Sequence, residues 1–161
     1  MPRREVLNET NAAVDLQAID ALIEHHMSAL GIHPDSTIAV TFIDTDRMTT
    51  LHEDWMHEPG PTDVLSFPID EITLPVAGEI SGPGILGDIV ICPDYLAPQM
   101  LESGRSLQQE TEFLVTHGIL HLLGMDHQEP QDHARMFALQ DTLITDWVAS
   151  DRVPSNREGT N

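Results

Sequence analysis

The chain has 161 residues, of which 40% are apolar, 21% charged and 4% aromatic. That is enough for one domain with an aliphatic core, and it excludes a disordered chain and a membrane-spanning helix, since no run approaches roughly 18 apolar residues. A formal charge of −20, with arginine as the only basic residue besides histidine and no lysine at all, gives a surface that repels nucleic acid at long range.

The N-terminal MPRREVLNET has two arginines but no apolar run behind them, so it does not read as a signal peptide. Val6–Leu7 reads as the centre of a first strand. Asp15 to Leu30 carries a helical apolar stripe that Gly31 ends. Ile38 to Ile43 alternates as a strand, and Asp44 can cap a helix reaching to about Trp55. HEPGPTD is turn chemistry. Val64 to Phe67 reads as a buried strand, and residues 69–84 as a loop. Leu86 to Cys92 is another apolar strand. Pro93 opens a helix to about Ser103, and two longer helices follow, Leu107 to Leu123 and Pro130 to Val148. Cys92 is the only cysteine, which excludes an internal disulfide, and it reads as a small buried apolar residue. The expectation is a cytoplasmic α+β protein: a single domain over 1–149 with a small mixed four-stranded sheet covered by about five helices. A polar, disordered tail is expected over 150–161.

The informative segment is HGILHLLGMDH, residues 117–127. His117 and His121 are four apart and share one helix face. On a continuing helix His127 would lie about 15 Å along the axis from His117, too far to share an ion with bonds of about 2 Å. Gly124 removes the difficulty, because a left-handed residue there ends the helix and lets the chain double back. Three neutral imidazoles leave a fourth tetrahedral position open, the pattern of a catalytic zinc site. Nitrogen ligands suit zinc without excluding nickel, iron or copper. The remaining six histidines read as ordinary helix and loop residues.

The spacing H-x-x-x-H-x-x-G-x-x-H resembles that of the metzincin peptidases, which carry a glutamate general base after the first histidine. Here that residue is Gly118, so a peptidase would lack its base. A wider resemblance runs through three segments. HGILHLLGMDH is similar to the three-histidine motif of the YbeY endoribonuclease family, Pro61–Pro68 (PTDVLSFP) to its turn and strand, and Leu86–Ile91 (LGDIVI) to a later strand. The early Leu7-Asn8-Glu9 also fits. The resemblance implies a zinc-dependent, single-strand-specific endoribonuclease acting in 16S ribosomal RNA 3′-end maturation and ribosome quality control. It implies one zinc ion on His117, His121 and His127.

The resemblance also leads to an arginine at position 56, where this chain has Met56. Arg105 is the candidate to replace it as a phosphate ligand. The charge of −20 adds an expectation of weak affinity for free RNA, with ribosomal or ribosome-assembly proteins delivering single-stranded ribosomal RNA; neither DNA nor a membrane is expected as a partner. Beside His117, Asp126 is the second candidate catalytic residue, able to orient a histidine or move a proton, or merely to cap its turn. Thr62, Asp63 and Ser66 are candidate substrate-binding residues that alternatively only fix the turn into their strand. Asp88 is open to the same two readings. Glu110 shares the His117 face about two turns upstream, where a solvated position competes with a role beside the ligands. Gly82 to Gly87 matches G-x-G-x-x-G but precedes a strand, the wrong order for a dinucleotide site. A third reading is a ribosome-assembly binding module with a structural zinc, which would need a fourth protein ligand.

Overall fold

Strands and helices alternate through the first third of the chain, two strands follow in succession, and the remainder is helical. A computed structural model describes residues 4–150. In chain order the elements are β1 (Arg4–Asn8), α1 (Leu16–Ala29), β2 (Thr37–Phe42), α2 (Thr45–Met56), β3 (Val64–Pro68) and β4 (Ile85–Ile91). A single 3-10 turn, Pro93–Tyr95, precedes α3 (Ala97–Ser103), α4 (Leu107–Leu122) and α5 (Pro130–Ala149). The strand order is β1-β2-β4-β3, with β1–β2 and β2–β4 parallel and β3–β4 antiparallel. The mixed four-stranded sheet and five α-helices agree with the expected α+β class. The tail expected from residue 150 lies, beyond Ser150, outside the described residues, as does the N-terminal Met1 to Arg3.

The helix expected from Pro93 is divided in two. Leu96, fully buried, separates the 3-10 turn from α3, whose own proline stands in its first turn, Pro98. Side-chain caps set the starts of α1, α2 and α4: Asp15 accepts from Ala18 N, Asp44 from Arg47 N, and Ser106 forms a reciprocal capping box with Gln109; α5 starts at Pro130 without one.

One face of the sheet carries the main core. Ile38, Val40 and Phe42 of β2 and Leu86, Ile89 and Ile91 of β4 pack there against α1, α4 and α5. The opposite face holds a smaller cluster of Ile43, Met48, Leu65 and Cys92, with α2 supplying Met48 and Leu51. Strict alternation would send Leu86 and Ile89 to opposite faces, yet both are fully buried on the same one. A bulge reconciles them: Thr37 pairs with Ile85 and Ile38 with Gly87, so Leu86 is skipped. Gly87 adopts φ +144°, and a Cβ there would run into the Phe67 carbonyl, so only glycine serves.

The first two metal-ligand candidates ride on α4, which crosses β3 and β4 at very short range. Gly118 makes that approach possible, since a Cβ on it would lie 2.9 Å from Ile89 Cδ1.

Candidate metal centre

His117 and His121 stand one turn apart on α4, as four-residue spacing requires. The helix then stops in a Schellman turn: Gly124 N–H donates to the His121 carbonyl at 3.0 Å and Met125 N–H to that of Leu120 at 3.0 Å. Gly124 has φ +88°, the left-handed conformation that the sequence demands of it. The turn brings His127 back toward the helix, with its ring centre 5.5 Å from that of His117 and 5.4 Å from that of His121. One ring nitrogen from each of the three histidines lies within 4.8 Å of the others.

Hydrogen bonding fixes which nitrogens are bare. Gln140, fully buried on α5, turns Oε1 toward His117 Nδ1 at 2.9 Å. An amide oxygen only accepts, so Nδ1 carries the proton and His117 Nε2 offers a lone pair. That Nε2 lies 3.0 Å from His121 Nε2. Burial, and then His117 and His127, push the His121 pKa down to about 4, while burial lowers that of His117, so both rings are neutral near pH 7. Three imidazoles converge with a ring nitrogen each, and burial keeps His117 and His121 neutral and able to ligate, so the donor set fits a divalent metal ion.

Among the described residues no further His, Cys, Asp or Glu joins this group. Three ligands at the wall of a cleft leave room for water or substrate, which favours a catalytic over a structural site. The cleft measures about 670 Å³ and is lined by the three histidines, by Val64, Ser66 and Asp63 around β3, and by Phe113 and Phe137. Asp63 is held firmly: Oδ1 accepts from Val64 N at 2.8 Å and Thr62 Oγ1 at 3.2 Å, and Oδ2 from Gln99 Nε2 at 3.0 Å. Its negative charge favours the protonated form of His117, opposing burial.

The expected substrate residues therefore divide. Asp63 and Ser66 line the cleft, whereas Thr62 acts on it by steadying Asp63. Met56 also faces the cleft, at the position where the resemblance leads to an arginine. Arg105 is tied to Glu110 at 3.3 Å and lies 4.2 Å over the Phe113 ring, which places it behind the wall rather than in the opening. Glu110 is not a solvated position: it is 3% exposed and holds Ser103 and Arg105. Asp126 lies outside the cleft, in a neighbouring hollow shared with Asp132 and Arg135, and its Oδ1 accepts from Gln128 N at 3.4 Å. It reaches the centre only through its charge, which favours protonation of His121. Asp88 opens onto the other face of the sheet.

Sequence reading missed Gln140. Its signal was present: α5 buries Met136, Gln140, Leu143 and Trp147, so a polar residue interrupts an otherwise apolar stripe. Gln99 was missed for want of any signal, since its partner Asp63 is remote in sequence.

The family model described as Endoribonuclease YbeY matches residues 5–148. The chain is 48% identical to an endoribonuclease YbeY of Thermobifida fusca, over 91% of this chain and 94% of that one. It is 46% identical to one of Beutenbergia cavernae, over 90% and 97%. A solution structure of a Thermotoga maritima protein has the same fold, with a TM-score of 0.61 and 25% identity across 95% of both chains. Identity at this level, sustained over nearly the whole described fold and its three-histidine cleft, makes the chain a member of the YbeY endoribonuclease family.

Proposed function

We propose that the protein is a zinc-dependent endoribonuclease that cuts single-stranded RNA, with ribosomal RNA 3′-end maturation and ribosome quality control as its setting. The observation that carries this reading is the convergence of His117, His121 and His127, one ring nitrogen of each within 4.8 Å of the others, at the wall of an open cleft in a member of an endoribonuclease family. His117, His121 and His127 would hold the ion. When bound, zinc supplies Lewis acidity toward a phosphoryl oxygen and makes a water more acidic. Gln140 keeps the proton on His117 Nδ1, which keeps Nε2 available. Asp63, fixed by three donors, sets a negative charge facing His117, and the Ser66 hydroxyl can donate to a phosphate oxygen. Asp126 acts at a distance, by favouring the protonated form of His121.

The charge of −20 bears on partners. With Arg105 engaged by Glu110 and Met56 at the opening, little in the cleft pairs with phosphates by charge. Ribosomal or assembly proteins would therefore bring the RNA, in the cytoplasm. No helix among the described residues is long and apolar enough to cross a membrane. A peptidase reading fails at Gly118, which is packed against Ile89 and offers no base.

Cleavage of a single-stranded RNA, a duplex and an unstructured peptide by zinc-loaded protein tests the reading, beside chelator-stripped protein and His121→Ala. Zinc-dependent cutting of the single strand alone is expected. If zinc stays bound while neither the free RNA nor ribosomal particles are cut, the chain is a binding module.

A further inference from the structure

Aromatic side chains are scarce in this chain, yet two of its four phenylalanines stand at the metal cleft. Phe42 is fully buried, and Phe67 meets Trp55 at the other cluster. Phe113 and Phe137 are instead half-buried at the cleft wall. Phe113 precedes His117 by one turn of α4. Phe137, on α5, has its ring centre 5.8 Å from that of His117 and 6.0 Å from that of His127. His117 thus neighbours both rings. Each ring is backed by a second flat group: the Arg105 guanidinium lies 4.2 Å over Phe113, and the exposed His133 ring stacks on Phe137 at 4.4 Å and 27°.

Val64, Leu65 and Leu114 make much of the remaining wall apolar. Such a surface is poorly equipped to hold a polyanion by its phosphates, because neutralising phosphates takes lysine and arginine. It is well equipped to hold unpaired bases by their faces, which stack on aromatic rings and guanidinium planes whatever the base.

We propose that Phe113 with Arg105, and Phe137 with His133, are two base-stacking positions beside the metal centre, and that they select single-stranded RNA. This rests on the reading of the chain as a nuclease for single strands. Bases in a duplex have both faces covered by their neighbours and cannot enter, so the preference for single strands comes from the wall itself. Affinity gained by stacking releases few counterions, so it weakens little with salt, unlike a phosphate contact on a single strand, which adds about −0.7 to the slope of log K against log salt. Loss of one stacking position should weaken binding about five- to 150-fold.

The test uses the full, zinc-loaded chain and a fluorescently labelled adenylate oligomer, with binding read by stopped-flow anisotropy before cleavage accumulates. KM and kcat on the unmodified oligomer are measured in parallel. Phe113→Leu and Phe137→Leu keep an apolar side chain and lose the flat ring, and Phe113→Tyr keeps the ring. Unaltered protein is also given an abasic chain of the same length, which tests stacking even where a variant folds poorly. The expected result is a Kd and KM raised at least about fivefold in each leucine variant, with kcat and zinc content unchanged. The tyrosine variant should behave as the parent, the abasic chain should bind far more weakly, and the salt slope should be shallow. If the parent cuts RNA while the leucine variants keep its KM, or the abasic chain binds as well, stacking is overturned and the nuclease reading stands. A loss confined to kcat also overturns it, by assigning the rings to support of the histidines. A parent protein that does not bind the oligomer and cuts neither free RNA nor ribosomal particles overturns both.

Discussion

Replacing Gln140 by leucine tests what α5 does for the metal centre. The native side chain makes one useful contact, Oε1 accepting from His117 Nδ1 at 2.9 Å, and leaves Nε2 buried without a partner. Leucine, apolar, shorter and of similar bulk, removes both polar atoms. Losing the hydrogen bond costs about 1 kcal/mol and leaves Nδ1 without its acceptor, while removing an unpaired buried amide returns about 1–3 kcal/mol. These contributions nearly cancel, so the metal-free protein should change in stability by less than about 1 kcal/mol. Metal affinity has no such compensation. Without the acceptor the Nδ1 proton is free to move to Nε2, which removes a ligand atom, and the ring is free to turn. Losing such a partner weakens binding about 10- to 100-fold, or about 1.4–2.7 kcal/mol. Titration of metal-free protein with zinc against a chromophoric chelator measures affinity, and urea denaturation in chelator measures stability. A leucine variant that binds zinc as tightly as the parent would refute the tautomer argument. A variant whose affinity falls only in step with its stability would assign Gln140 to packing. Gln140→Glu runs the reasoning in reverse: a carboxylate accepts more strongly from Nδ1, so affinity rises, while the metal-free protein loses stability to the buried charge.

Three further outcomes follow from the same geometry. Met56→Arg places a cation at the cleft and should tighten single-stranded RNA binding about five- to tenfold at low salt, with a steeper salt slope; fluorescence anisotropy at several salt concentrations reads both. Gly118→Ala presses a Cβ to 2.9–3.2 Å from three atoms of Ile89, which should cost about 1–3 kcal/mol less the roughly 1 kcal/mol that alanine gains in a helix, with Ile89→Val recovering part of the loss in urea denaturation. His26 is buried and donates to Thr116 Oγ1 at 2.9 Å, and burial followed by His25 pushes its pKa down to about 3. The folded state therefore refuses a proton that the unfolded chain accepts below about 6.5, so this stabilisation is complete above pH 6.5 and is lost as pH falls toward 3. Between pH 6.5 and 5 the loss should reach about 1.6 kcal/mol, and a His26→Leu variant should show a pH profile flatter by that amount.

Much of this architecture is legible locally. The stripe on α1, the caps at Asp15, Asp44 and Ser106, and the alternation in β2 each predict their element, because the same residues that set local conformation also meet the sheet. The candidate metal ligands are legible for a related reason: four-residue spacing and one glycine determine their geometry without help from elsewhere in the chain. What escapes is whatever depends on a distant partner. Gln140 matters only because α5 docks on α4, Glu110 is buried only because Arg105 and Ser103 fold over it, and Leu86 faces the core only through a bulge fixed by the Phe67 carbonyl. Asp126 carries the opposite lesson. It stands beside a ligand in sequence, yet the turn that presents His127 points it into another hollow.

The Schellman turn also makes the candidate site a local one. His117, His121 and His127 belong to one continuous stretch, whereas Gln140 arrives on a separate helix. Closing so short a loop costs little chain entropy, and its ends are already drawn together by the backbone bonds at Gly124 and Met125. A peptide spanning residues 107–127 should therefore take up zinc by itself, but hold it far more weakly than the folded protein, in which Gln140 fixes the His117 ring.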